Sequence, residues 1–207
     1  ELAKQNLIGK EGTIIDATIV EAPIQHNSKE ENEQIKQGQI PEQWQEEKHK
    51  AKLRQKDCDA RWTKKHNRSY FGYKDHVKTD IKSKFILKAT VTAAHVHDSK
   101  EVEHLTKGDN ILYGDSAYSG EGIEKILEKK EIEGRICERG YRNKPLTEEQ
   151  QENNKKKSKI RVEHIFGFMT NSMKGIYVRT IGLARATFSI IMMNLTYNLC
   201  RYCVLRK

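Results

Sequence analysis

Short β-branched runs and segments with an apolar residue every three or four positions alternate along this chain. Residues 13–20, TIIDATIV, are rich in β-branched side chains and predict a first strand. Residues 70–78 and 85–93 predict two more, separated by a turn at 80–84. A short helix capped by Asp98 or Ser99 runs to Leu105, and 111–114 is a brief apolar strand that ends at Asp115. Residues 120–130 place Ile123, Ile126 and Leu127 on one helical face. Residues 132–137 suit another strand, 140–157 a polar connection, and 159–173 and 184–205 two closing helices.

Two stretches break the pattern. Residues 21–56 are dominated by Gln, Glu, Lys and Asn and read as a charged, partly helical insertion after the first strand. Within it, 41–56 suits a helix with Pro41 at its first turn and a thin apolar face of Trp44, Ala51 and Leu53. Residues 57–65 read as a polar loop. The resulting order is three strands, helix, strand, helix, strand and two helices. That order fits an α/β fold of the ribonuclease-H-like kind, a mixed sheet flanked by helices in which the first and fourth strands lie side by side.

Length and charge narrow the function classes. With 207 residues the chain suits one domain with an insertion. The most apolar stretch, 188–205, is interrupted by Ser189, Asn194, Thr196, Asn198 and Arg201, so no membrane span is expected. Four cysteines make no disulfide framework and favour a reducing compartment; Cys200 and Cys203 read as two packed thiols rather than half of a zinc site. The net charge of +9 is concentrated at the C-terminal end, where residues 155–207 hold 11 basic residues and a single acidic one, Glu163. A second basic stretch, 61–88, has nine Lys or Arg against Asp75 and Asp80. Two such stretches suggest a polyanionic partner, most simply nucleic acid.

Three acidic residues stand out. Asp16 lies mid-strand, where a carboxylate is disfavoured; Asp115 ends a strand; Glu163 lies on a later helix. With strands one and four adjacent, the two aspartates meet at one end of the sheet, and a packed helix can bring the glutamate over them. Three converging carboxylates repel unless cations join them. Hard oxygen ligands favour Mg²⁺, with Mn²⁺ as a substitute, and a pair of such ions can activate a water or 3′-hydroxyl against a phosphodiester.

These residues resemble a known family. The segments Ile15-Asp-Ala-Thr-Ile-Val-Glu-Ala-Pro23, Pro41-x-x-Trp44, Lys56-Asp-x-Asp-Ala-Arg-Trp-Thr-Lys-Lys65, Tyr70-Phe-Gly-Tyr-Lys-x-His76, Val96-His-Asp-Ser99, Gly114-Asp-Ser-Ala-Tyr118 and Val162-Glu-His-Ile-Phe-Gly167 are similar, in order, to those of bacterial insertion-sequence DDE transposases of the IS-five-like group. The segments Arg179-x-Ile-Gly-Leu-Ala-Arg-Ala186 and Asn194-Leu-x-Tyr-Asn-Leu199 extend the likeness to nearly the whole chain. The resemblance implies a catalytic domain lacking the N-terminal DNA-recognition region. It implies a triad of Asp16, Asp115 and Glu163 that is both catalytic and metal-binding, with two divalent ions. It implies cleavage at transposon ends, strand transfer into target DNA, double-stranded terminal inverted repeats and target as partners, a homodimer or higher assembly, and a bacterial cytoplasmic, nucleoid-associated location.

Expected DNA contacts are Arg61, Trp62, Lys64, Lys65, Lys74, Lys159, Arg161, Lys174, Arg179 and Arg185. The Tyr, Arg and Lys that often surround the family's Glu fall here on Lys156, Lys159 and Thr170. A DNA-binding remnant without turnover and a stand-alone ribonuclease-H-like nuclease are the competing readings.

Overall fold

The computed structural model describes residues 7–9, 11–141, 143–158, 162–173 and 176–206. Strands β1 (Thr13–Glu21), β2 (Arg61–Lys65), β3 (Arg68–Asp80), β4 (Ile86–Ala93), β5 (Ile111–Gly114) and β6 (Glu133–Ile136) form one sheet. Its order is β2-β3-β1-β5-β6, with β4 also paired to β3. β3 is antiparallel to β1, β2 and β4, whereas β1, β5 and β6 are mutually parallel neighbours. This mixed sheet flanked by helices is the ribonuclease-H-like arrangement that the element order predicts.

Adjacent residues of β1 feed opposite faces, as a strand's period of two requires. Ile14 joins Val77, Ile86, Val162, Ile165, Met169 and Tyr197 in a core shared with α7 (Glu163–Asn171) and α8 (Leu183–Leu205). Ile15 joins Val102, Leu105, Leu112, Tyr118, Ile123 and Leu127 beneath α4 (Val102–Leu105) and α5 (Glu121–Lys129). A third cluster, including Val20, Ala60, Phe71, Tyr73 and Ile190, closes the β2 end.

Residues 57–65 correct one expectation. Their second half is the strand β2, whose Arg61–Lys65 pairs in register with Gly72–Arg68. Gly72 makes the three-way junction possible: its φ is +152°, and a Cβ there would stand 2.2 Å from the Val20 carbonyl oxygen. Before β2, the chain forms α1 (Lys29–Lys36), α2 (Glu42–Gln45), a 3₁₀ turn at Glu47–His49 and α3 (Lys50–Gln55), so 41–56 is broken rather than one helix. Ser28 and Glu31 make a reciprocal capping box for α1. Trp44 is fully buried, donates to Glu31 Oε1 at 2.6 Å and has the Lys52 and Lys56 ammonium groups over its ring. Burial opposes ionisation of Glu31, but hydrogen bonds from Lys52, the Ser28 N–H and Trp44 outweigh it and hold the carboxyl down at about 2. The polar connection 140–157 contains a further helix, α6 (Glu148–Lys157), capped by Thr147 and Gln150. Cys203 is exposed rather than packed, and Cys200 is half-buried. Among the described residues no helix is long and apolar enough to cross a membrane.

Candidate active site

The parallel pairing of β1 and β5 spans Thr13–Leu112 and Ile14–Tyr113. Beyond it the two strands part, and Asp16 and Asp115 stand at the fork. A pocket of about 100 Å³ opens there, lined by both aspartates with Ile14, Gly114, Cys137, Lys157 and Val162. Lys157, at the end of α6, is anchored by a 2.8 Å hydrogen bond to the Ile136 carbonyl. Glu163 is the first residue of α7, immediately after the pocket-lining Val162. Its side chain lies outside the described residues. The structure thus brings Asp16 and Asp115 together and starts the Glu163 helix beside them.

The two aspartates are held differently. Asp115 is exposed and caps the 3₁₀ turn Ser116–Tyr118 by accepting the Ala117 N–H at 2.8 Å. Asp16 is half-buried and, among the described residues, accepts only the Ala17 N–H, at 2.7 Å. Burial pushes its carboxyl up to about 7. The Ala17 hydrogen bond opposes the rise, the negative charge of Asp115 adds to it, the Lys65 ammonium counters it, and Asp98 adds again. A carboxylate that resists ionisation beside another carboxylate is a site with a deficit of positive charge. An all-oxygen donor set of this kind suits Mg²⁺ or Mn²⁺. Among the described residues no three His, Cys, Asp or Glu side chains form a group that could hold a metal ion; the described side chains bring two carboxylates, Asp16 and Asp115, to the fork.

The expected DNA contacts separate by placement. Lys64, Lys65, Arg179 and Arg185 are exposed, and Trp62 is 46% exposed with one ring face tilted against Phe71. Arg61 faces inward, donating to the carbonyls of Cys58, Ala60 and Ile35. Lys74 is engaged by Val96 O and Asp98 Oδ1, both at 2.7 Å. Lys159, Arg161 and Lys174 lie outside the described residues.

Of the polar residues around the site, Asp98 is the one that sequence reasoning missed. Asp98 does not cap a helix: His97 does so, accepting the Ser99 N–H, while the Asp98 side chain turns to Lys74 and His76. His76 is fully buried, with Nε2 2.8 Å from Thr92 Oγ1 and Nδ1 unpartnered, and burial pulls its pKa down. Tyr118 is buried, and its hydroxyl has no partner among the described residues. Only the Lys74-x-His76 alternation on one face of β3 hinted at a polar array there.

Comparison with known proteins places the chain in a family. A 137-residue stretch is 31% identical to the transposase for insertion sequence element IS1106 of Neisseria meningitidis serogroup B, covering 64% of this chain and 47% of that protein. The chain thus matches about half the length of that relative. The model of the transposase DDE domain matches residues 8–199, nearly the whole chain. The two diverging strands that carry Asp16 and Asp115 lie within that match, and the chain belongs to the transposase DDE domain family.

Proposed function

We propose that this chain is the catalytic core of an insertion-sequence transposase, which cleaves DNA at the ends of its element and joins them to target DNA. The observation that carries the reading is the convergence of Asp16 and Asp115 at the β1–β5 fork, with Asp16 pushed up to about 7 by its burial. Asp16, Asp115 and Glu163 would hold divalent ions there, and such ions supply Lewis-acid activation of the attacking oxygen and charge stabilisation at phosphorus. The protein's own part is positional. Asp16 is fixed by the Ala17 N–H and Asp115 by the Ala117 N–H, so both carboxylates are set before DNA arrives. Lys64, Lys65, Arg179 and Arg185 present exposed cations to the phosphates, and Trp62 offers a ring to an unpaired base. In cleavage, a water oxygen bonds to phosphorus as the P–O bond to the 3′-oxygen breaks, and the proton lost by the water is balanced by the one taken up on the 3′-oxygen; in joining, that 3′-oxygen gives up its proton and bonds to a target phosphorus as the target's own P–O3′ bond breaks, leaving a 3′-hydroxyl on the target strand. Two ends require two sites, which makes a homodimer or higher assembly on double-stranded DNA the working unit, in the bacterial cytoplasm at the nucleoid.

The test is Mg²⁺-dependent joining of labelled DNA carrying the inverted repeats that flank the protein's own gene. Asp16→Ala, Asp115→Ala and Glu163→Ala should each abolish joining while leaving the circular dichroism spectrum unchanged. Wild-type joining by any one of them would remove that residue from the site. Lys156, Lys159 and Thr170 at the family's Tyr, Arg and Lys positions favour a second reading, a DNA-binding form without turnover. It predicts salt-sensitive DNA binding indifferent to Mg²⁺ and no joined product.

A further inference from the structure

Helix α8 is apolar on both faces, and its long polar side chains turn inward. Beside the buried Ala186, Ile190 and Tyr197, Asn194 donates to Asp75 Oδ1 at 3.1 Å. Asn198 accepts the Ile86 N–H and donates to the Ile86 carbonyl, and Arg201 donates to the Ser83 carbonyl at 2.7 Å. The large apolar residues turn outward: Phe188, Ile191, Met192, Leu195 and Leu199 are all exposed, Phe188 at 69% and Leu199 at 58%. The hydroxyls beside them, Ser189 and Thr196, donate back to the carbonyls of Arg185 and Met192. Single exposed apolar residues are ordinary, but a contiguous patch on a helix that buries polar groups is informative.

The outward residues are regularly spaced. Phe188, Met192, Leu195, Leu199 and Tyr202 follow one another in alternating steps of four and three, the spacing of a coiled-coil seam. They form one stripe on the side opposite Ala186, Ile190, Asn194 and Tyr197. Between Arg185 and Arg206 the single charged residue is Arg201, and it faces the core. A DNA backbone finds no cation along such a stripe. Among the described residues no helix is long and apolar enough to cross a membrane, so a bilayer does not cover it either. Another apolar helix does fit. A seam of this kind is complementary to itself, because about a two-fold axis the knobs of each copy enter the holes of the other. The apolar surface exposed on the stripe, taken from two copies, is on the order of 1,000 Å², which is what a specific interface needs.

We infer that the outer face of α8 is a homodimer interface, in which Phe188, Met192, Leu195, Leu199 and Tyr202 pack against the same residues of a second copy before DNA binds. The inference gives the two-site assembly proposed above a surface. It rests on that reading only for the dimer's role, since the pairing itself needs neither DNA nor metal. Arg185 and Arg206, both exposed, end the seam and keep their charges at its margins.

Sedimentation equilibrium of the full chain across the micromolar range, without DNA or metal, tests this. The wild type should fit a monomer–dimer equilibrium that stops at two copies. Leu195→Glu puts a charge from each copy into the middle of the seam and should weaken association about 100-fold or more. Leu199→Glu should do the same, and Phe188→Ala should weaken it about tenfold. All three side chains are exposed in a single copy, so the circular dichroism spectrum should not change. Ile24→Glu, at an exposed apolar position outside α8, should leave the equilibrium as it is. A wild-type chain that stays monomeric throughout, or that grows into larger aggregates, overturns the inference, and the stripe then serves another occupant or none. A dimer that persists in both Leu195→Glu and Leu199→Glu places the interface elsewhere and also overturns it. The two readings fail separately. A monomeric wild type that joins DNA refutes the interface alone, whereas a seam-dependent dimer that joins no DNA upholds the interface and refutes the turnover.

Discussion

Replacing Asp75 with asparagine should stabilise the protein above neutral pH and leave it nearly unchanged in acid. Asp75 lies on β3 and is 2% exposed. Asn194 of α8 donates to its Oδ1 at 3.1 Å, and the Asn194 Oδ1 itself is buried without a partner. Burial pushes the Asp75 carboxyl from 3.8 up to about 7, outweighing the Asn194 hydrogen bond. In the protonated form the carboxyl O–H is a donor of the kind the orphaned Asn194 oxygen needs; above pH 7 that donor is lost and an uncompensated charge is buried. The sign follows from linkage. Between the unfolded and folded pKa values the folded state holds the proton and the unfolded state does not, so stability falls as pH rises from about 4 to about 7. Each pH unit of that window is worth about 1.4 kcal/mol, giving on the order of 4 kcal/mol as an upper limit at pH 8. Asparagine keeps the shape, supplies a permanent N–H and cannot ionise. Urea unfolding of the wild type and Asp75→Asn between pH 4 and 8 should give a stability difference that grows with pH and levels off above 7. Asp16 titrates in the same range, but its contribution cancels in the difference. A gap that is independent of pH, or a variant less stable at pH 8, would refute the reasoning.

Two further outcomes follow from charges elsewhere. Lys78 donates to both oxygens of Asp109 at 2.9 Å in a pair almost wholly buried, so Asp109→Ala strands the ammonium and should cost about 3–5 kcal/mol in urea unfolding; a loss below about 1 kcal/mol would show that water reaches the lysine. Lys64→Ala and Lys65→Ala, both at exposed positions on β2, should each reduce the slope of log affinity for duplex DNA against log salt by about one; unchanged slopes would move the DNA path away from β2.

What the sequence revealed and concealed has physical causes. The β-branched run at 13–20 and the apolar strand 111–114 were legible because burial of both faces leaves a near-continuous apolar pattern. β2 was not, because Arg61-Trp-Thr-Lys-Lys65 has little apolar character; it is a strand because β3 offers its backbone groups partners in register. α1 and α6 each carried a capping box, Ser28 with Glu31 and Thr147 with Gln150, a signal that polar composition overshadowed. α6 buries no residue, so no apolar face announced it. Asp16 and Asp115 stood out through their strand positions, and the fold places both at one pocket. The Asp98–Lys74 pair was not legible, since it depends on a turn, 98–101, that meets β3 only in the folded chain. Arg61, in a basic run, looked like a phosphate contact, but its hydrogen bonds go to backbone carbonyls around the α1–β2 connection.

The carboxylates of the core make the case for Asp16 by contrast. Asp57 accepts two N–H groups and the Tyr73 hydroxyl. Asp80 accepts the Lys82 and Ser83 N–H groups and the Ser83 hydroxyl. Asp109 has Lys78, Thr13 and the Lys107 N–H, and Asp75 has Asn194. Each is buried, and each has a side-chain partner from this chain. Asp16, less buried than any of them, has among the described residues only the N–H of its own neighbour, and its pKa still rises to about 7. A fold that neutralises or pairs its other buried acids, yet holds one beside Asp115 and Asp98 at the open fork of two parallel strands, has placed that acid where structure alone gains nothing from it. Among the described residues nothing compensates that acid, which is the position the proposed cation at the Asp16–Asp115 fork would fill.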